Sequence, residues 1–260
     1  MAASSLDALC SLRETLCLPT DAGNDDFGEN NLETEADRRS LRGDYGGVSL
    51  AANVLEALRA IAETFDTYGF EHVAVSFNGG KDCNVMMHLV YLHVCKRYGV
   101  ERMRALRCLT WRQTDAFAEV AENMALCERV YSLTVDCFDG SFKDGLQVAI
   151  DRFSVKAIIM GQRGTDPYAP LDVFAPTSPG WPPMMRVNPV LRWSYADVWL
   201  FTRVERVPIC DLYFVGFTSL GARDKTVPNP ALLVRADGAE DKFLPAWKLA
   251  DETLERAGRM

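Results

Sequence analysis

From Ser49 onward the apolar positions of the chain switch between two periods. Short β-branched or apolar runs read as buried strands: His72 to Phe77, Met103 to Thr110, Val130 to Asp136 and Lys156 to Gly161. Between them the apolar residues recur at helical spacing, as in Val85, Met86, Leu89 and Val90, and predict helices over Ser49–Tyr68, Cys83–Tyr98, Thr114–Leu126 and Ser141–Phe153. Strands alternating with helices of this length require right-handed crossovers, hence a mostly parallel sheet with helices on both faces. Ligands of such sheets bind beyond the carboxyl ends of the strands. The loops at Asn78, at Trp111–Thr114 and at Gly161–Pro167 all fall at that edge, so three loops are expected to converge on one crevice.

The pattern fails at both ends. Between Pro19 and Gly47 the chain is polar, with eight acidic and three basic residues, and reads as a surface linker. This gives two regions: an N-terminal extension with an acidic linker over 1–48, and an α/β domain over 49–260. From Asp166 to Pro189 proline is too dense for regular helix, and a fixed loop region is expected there instead of another βα unit. Ser194 with Asp197 has the spacing of a capping box and begins a helix to about Val204. A last helix is expected from about Ala246 to Arg256.

Composition narrows the possibilities. The net charge of −8, from 36 acidic and 28 basic residues, argues against broad nucleic-acid or anionic-membrane binding. Eight cysteines without a C-x-x-C spacing point to a reduced, intracellular compartment. The N-terminus is interrupted by Asp7, Arg13 and Glu14, so it lacks the apolar core of a signal peptide, and no run approaches a membrane span. A cytoplasmic monomer is the expectation.

The candidate chemistry lies at "SFNGGKDC", Ser76 to Cys83, where a strand passes into a helix. The first turn of a helix has unpaired N–H groups and the positive end of the dipole, and glycines let an anion approach closely. Phosphate is the natural candidate, although the spacing is neither Walker A nor G-x-G-x-x-G. Asn78-Gly79-Gly80 equally satisfies an ordinary tight turn, so the loop alone leaves both readings open.

Together with "MGQRGTDP" (Met160 to Pro167), "PGWPPMMRVNPVLRWSYADVW" (Pro179 to Trp199), "GFTSLGARDKTVPNPAL" (Gly216 to Leu232) and "PAWKLADETLERAGR" (Pro245 to Arg259), this segment resembles the eukaryotic FAD synthetases, which are FMN adenylyltransferases. The likeness runs in order from about Val73 to Arg259, with no counterpart in the first seventy residues, and suits the short single-domain forms. It implies a Rossmann-like fold of the PP-loop, phosphoadenylyl-sulfate reductase type. The implied reaction is transfer of AMP from ATP to FMN, giving FAD and pyrophosphate with Mg²⁺.

The resemblance also implies residue roles. Ser76, Phe77, Asn78, Gly79, Gly80, Lys81 and Asp82 would wrap the ATP phosphates, with Asn78 and Asp82 near the reacting phosphate and Asp82 near the metal. Leu109 and Thr110 would lie along the adenine. Gly161, Arg163 and Asp166 would line the flavin and phosphate side, Trp181 and Met185 would take the isoalloxazine, and Arg186 would reach a phosphate. Arg256 and Arg259 would act on substrate phosphates, whereas by composition alone they are a solvated helix end. Trp193 and Trp199 are expected in the core. Three rivals share parts of this pattern: a phosphoadenylyl-sulfate reductase, which needs a tail cysteine where this chain has none after Cys210, a PP-loop pyrophosphatase adenylating another acceptor, and a flavin-binding module without catalysis.

Overall fold

The computed structural model describes residues 50–112, 115–234 and 241–260. The extension over 1–48, Ser49, and the Thr114 start of one predicted helix lie outside the described residues. Helix α1 (Leu50–Tyr68) buries Leu50, Val54, Ala57, Ile61 and Phe65, a stripe at intervals of three and four that faces the core. Strand β1 (Val73–Ser76) follows, with Val73, Ala74 and Val75 fully buried. Burial on both sheet faces explains why this run is continuously apolar.

Helix α2 (Lys81–Tyr98), strand β2 (Arg107–Trp111), helix α3 (Ala118–Tyr131), strand β3 (Val135–Phe138), helix α4 (Phe142–Phe153) and strand β4 (Ala157–Ile159) complete the alternation. Two boundaries move. Val130 and Tyr131 belong to α3, whose end is set by Ser132 in the left-handed conformation, and β3 begins later. The β-prone Val-Tyr pair is helical because Tyr131 is buried against α2, where its hydroxyl meets His88 Nδ1 at 3.0 Å. The predicted strand at Met103 gives way to a 3-10 turn over Val100–Ala105, with Met103 buried in the core.

The proline-rich region departs from expectation. It contributes strands β5 (Phe174–Pro176) and β6 (Met185–Val187) to the sheet, whose order is β3-β2-β1-β4-β6-β5. β6 runs parallel to β4 and β5 antiparallel to β6. Pro176 is tolerated because β5 is the edge strand. The sequence order reverses between β1 and β4, which makes the mouth between their carboxyl ends the topological switch point.

Helix α5 (Tyr195–Val204) starts at the expected reciprocal capping box of Ser194 and Asp197, and Trp193 and Trp199 are buried. The predicted last helix does not form: Ala246–Lys248 and Glu252–Leu254 are separate 3-10 turns. Trp247 and Leu249 are drawn into an apolar cluster with Trp199 and Tyr213, and Glu252 accepts the Tyr195 N–H at 3.0 Å, so tertiary contacts override helical spacing.

Candidate active site

The loop from β1 to α2 is shaped by its own residues. Gly79 has φ +72°, a conformation that favours glycine, and its carbonyl accepts from Asn123 Nδ2 at 2.9 Å. Gly80 N–H donates to Asn78 Oδ1 at 3.0 Å, so the Asn78 side chain forms an Asx-type turn that sets up the helix start. Gly161, at the exit of β4, passes against the first turn of α2: a Cβ there would lie 2.7 Å from Cys83 N and Cα. The two loops at the switch point are therefore in backbone contact.

Three cavities share walls along the carboxyl edge of the sheet. The first, about 310 Å³, lies between β2 and α3 and is lined by Thr110, Trp111, Val120 and Met124 as well as Asn78. The central one, about 370 Å³, is lined by Ser76, Asn78, Gly161 and Asp166 and shares Asn78 and Trp111 with the first. The third, about 590 Å³, holds Tyr168, Trp181 and Arg186 and shares Phe142, Met160, Gln162 and Pro167 with the central one. Together they form one trough, with an apolar compartment at each end and the glycine loop between. Trp181 is 42% exposed within it, which argues against simple core packing.

Several residues named from the sequence face elsewhere. Phe77 and Leu109 are fully buried core residues, and of the residues beside them Thr110 lines the trough. Met185 packs against the core. Lys81 and Arg163 are 3% and 1% exposed and point into the protein, where they meet Asp82 and Glu255. Asp82 Oδ1 accepts from Arg163 Nε at 2.7 Å and Oδ2 from Lys81 Nζ at 3.0 Å; Glu255 receives Lys81 Nζ at 2.5 Å and Arg163 Nη2 as well. Burial alone would raise the Asp82 pKa, but Arg163 and Lys81 hold it below the usual carboxylate range. Burial opposes the charges of Lys81 and Arg163 too, and the carboxylates overcome it, so both pKa values rise.

This pairing bears on metal binding. Both Asp82 oxygens are engaged by cations, and among the described residues no group of three or more His, Cys, Asp or Glu is placed to hold a metal ion. The side chains present do not fit a protein-built Mg²⁺ site. The Cys83 thiol, which lines the central cavity, is pushed up to about 12 by burial and then by Asp82, which favours its protonated form.

The tail is a turn in which Arg259 N–H donates to Arg256 O at 2.9 Å. Arg256 is exposed; Arg259 is half-buried and donates to Ser219 Oγ at 3.2 Å and to the Leu220 carbonyl. Burial and then the Arg256 charge lower the Arg259 pKa. Trp111, Gln162, Tyr168 and Glu255 were not singled out from the sequence. For Trp111 its position at a strand end, and for Gln162 and Glu255 their place in the motifs given above, was an available signal.

Fold and site define an α/β nucleotide-binding class of the phosphoadenosine phosphosulfate reductase type, and the family model described as the phosphoadenosine phosphosulfate reductase domain matches residues 142–228. A probable FAD synthase of Schizosaccharomyces pombe is 35% identical over 217 residues, which cover 82% of this chain and 80% of that protein. A probable FAD synthase of Caenorhabditis briggsae is 37% identical over 216 residues, 82% of this chain but 41% of the relative, so the chain spans about two fifths of that nematode protein. The crystal structure of Candida glabrata FMN adenylyltransferase in complex with ATP is similar with a TM-score of 0.74 and 25% identity, covering 98% of this chain and 96% of that one. The chain belongs to the FAD synthase family. No helix among the described residues is long and apolar enough to cross a membrane.

Proposed function

We propose that this chain transfers AMP from ATP to FMN, releasing pyrophosphate and forming FAD as the final step of FAD biosynthesis. The observation that carries the reading is the trough: two apolar compartments flank a glycine loop, as two ring systems joined through phosphates require. The adenine then occupies the side of Thr110 and Trp111, and the isoalloxazine the side of Trp181 and Arg186. The names of the relatives and the ATP complex of the Candida glabrata enzyme support the same assignment.

In the reaction a phosphate oxygen of FMN attacks the α-phosphorus of ATP, the bond to the bridging oxygen of the β-phosphate breaks, and pyrophosphate leaves. The FMN phosphate, with a second pKa of about 6, is already largely ionised near neutral pH, so no strong general base is required. The obstacle is repulsion between polyanions. Ser76, Asn78, Gly79 and Gly80 position the phosphates, Arg256 and Arg259 offset their charge, and Gly161 and Asp166 close the opposite wall. Lys81, Asp82 and Arg163 serve from beneath by holding the loop. Mg²⁺ belongs to this reading as the counterion ATP brings with it. We further propose a cytoplasmic monomer.

The test is to incubate the protein with ATP, Mg²⁺ and FMN, or riboflavin in its place, and separate the flavins chromatographically. FAD from FMN and none from riboflavin is expected. Pyrophosphate release with another acceptor, and none with FMN, would replace the reading with that of a PP-loop pyrophosphatase.

A further inference from the structure

Glu255 lies 174 residues from Lys81 in sequence yet closes a ring of charge beneath the glycine loop. Lys81 and Arg163 each bridge the same two carboxylates, Asp82 and Glu255, so two cations and two anions alternate around a buried square. The four corners come from three parts of the site. Lys81 and Asp82 open α2, Arg163 follows β4, and Glu255 sits in the C-terminal tail. The tail backbone is pinned at the same place: Thr218 Oγ1 donates to the Glu255 carbonyl at 2.6 Å, and Asn229 Nδ2 donates to both the Leu254 carbonyl and Thr218 Oγ1 at 2.8 Å. Arg256 is the next residue along, and Arg259 is one turn further.

We infer that Glu255 is a positioning residue that docks the C-terminal tail onto the phosphate loop and thereby sets Arg256 and Arg259 over the reacting phosphates. Two features of the square favour this over simple core stability. A buried ion cluster is weak evidence for stability, because apolar residues of equal volume generally do as well, whereas its geometry is directional. It also joins the two segments whose relative placement the transfer reaction depends on. The tail backbone is also held beyond Arg256, where the Gly258 carbonyl accepts from Val227 N–H at 2.9 Å and Met260 N–H donates to the Lys225 carbonyl at 3.0 Å, and Glu255 is the residue that ties it to the loop.

The inference rests on the adenylyl-transfer reading, and the test separates the two. Glu255→Gln is made in the native chain and in the Arg256→Ala/Arg259→Ala background. All four proteins are compared for melting temperature, kcat and KM for FMN, and affinity for inorganic pyrophosphate by calorimetry. In the native background Glu255→Gln is expected to lower kcat by about 10- to 100-fold with KM for FMN changed less than about threefold, as expected when an interaction made only in the transition state is lost. Without the arginines the same change is expected to cost less than about threefold, because residues acting as one unit are not additive. Equal losses in both backgrounds, or a native kcat in Glu255→Gln, would overturn the inference. If Glu255→Gln does not fold, Thr218→Val releases the Glu255 carbonyl while leaving the square intact. It is expected to show the same dependence on the arginines at roughly three- to tenfold, and no effect would overturn the inference. If the native protein forms no FAD, the functional reading fails by itself, and the same four-way comparison of pyrophosphate affinity decides the role of Glu255.

Discussion

Replacing Gly161 with alanine tests whether the two loops at the switch point are built as one unit. The new Cβ would lie 2.7 Å from Cys83 N and Cα and 2.9 Å from the Asp82 carbonyl carbon. Carbon atoms prefer about 3.5–4.0 Å, so the exit of β4 and the first turn of α2 must separate by roughly 0.8–1.3 Å. The opposing atoms are backbone, and no rotamer change relieves them. Overpacking of this kind costs about 1–3 kcal/mol, offset by the roughly 0.4–1 kcal/mol that Gly→Ala gains through the unfolded chain. A net loss of about 1–2 kcal/mol lowers the melting temperature of a domain this size by about 2–8 °C. The same displacement moves the glycine loop, and under the proposed function ATP affinity by calorimetry is expected to fall on the order of tenfold, or about 1.4 kcal/mol. Adding Cys83→Gly should rescue neither quantity, since the contacted atoms remain. An unchanged melting temperature with unchanged ATP affinity, or rescue by Cys83→Gly, would refute the reasoning.

Gly79→Val places a β-branched residue at φ +72° with its Cβ 2.8 Å from Met124 Cγ. The side chain of Met124 can yield but the backbone cost of about 1–2 kcal/mol remains, so ATP binding should be lost and the melting temperature should drop by a few degrees; native ATP affinity would return the loop to a plain turn. Arg256→Ala should change stability by less than about 0.5 kcal/mol and Arg259→Ala, which loses hydrogen bonds to Ser219 and Leu220, by about 1 kcal/mol. Each should cost on the order of 10²-fold in kcat, and native turnover in both would make the tail an ordinary surface turn. His93, stacked on Phe65 at 5.4 Å with its Nε2 buried and unpartnered, is pushed down to about 4 by burial and then by Arg97. Its folded pKa lies below the ordinary 6.5, so its contribution is present above pH 6.5 and is lost as pH falls toward 4. His93→Phe keeps the stack without the titration, and its urea midpoint should fall less than that of the native protein between pH 7 and 4.5; identical falls would remove His93 from the acid response.

What could be read from the chain before its structure divides by the range of the interactions involved. The β1–α2 and β4 units follow from local periodicity, and the Ser194–Asp197 cap is reciprocal over three residues, so both were legible. The strands β5 and β6 were not, because three-residue strands among prolines carry no period and depend on an existing sheet edge to pair with. The tail failed for the opposite reason. Its helical spacing was real, but Trp247, Glu252 and Glu255 each answer to a partner far away in sequence. The same division runs through the site. The glycine loop was visible as a segment, whereas the direction of its lysine was not. A lysine in a phosphate loop suggests a cation turned toward phosphate, and only the long-range contact with Glu255 turns it inward. Lys81 is thereby coupled to the tail, and the cations that line the trough are Arg112 and Arg186. The opening motif and the closing "ERAGR" are joined by a carboxylate whose sequence context looks like any other solvated glutamate.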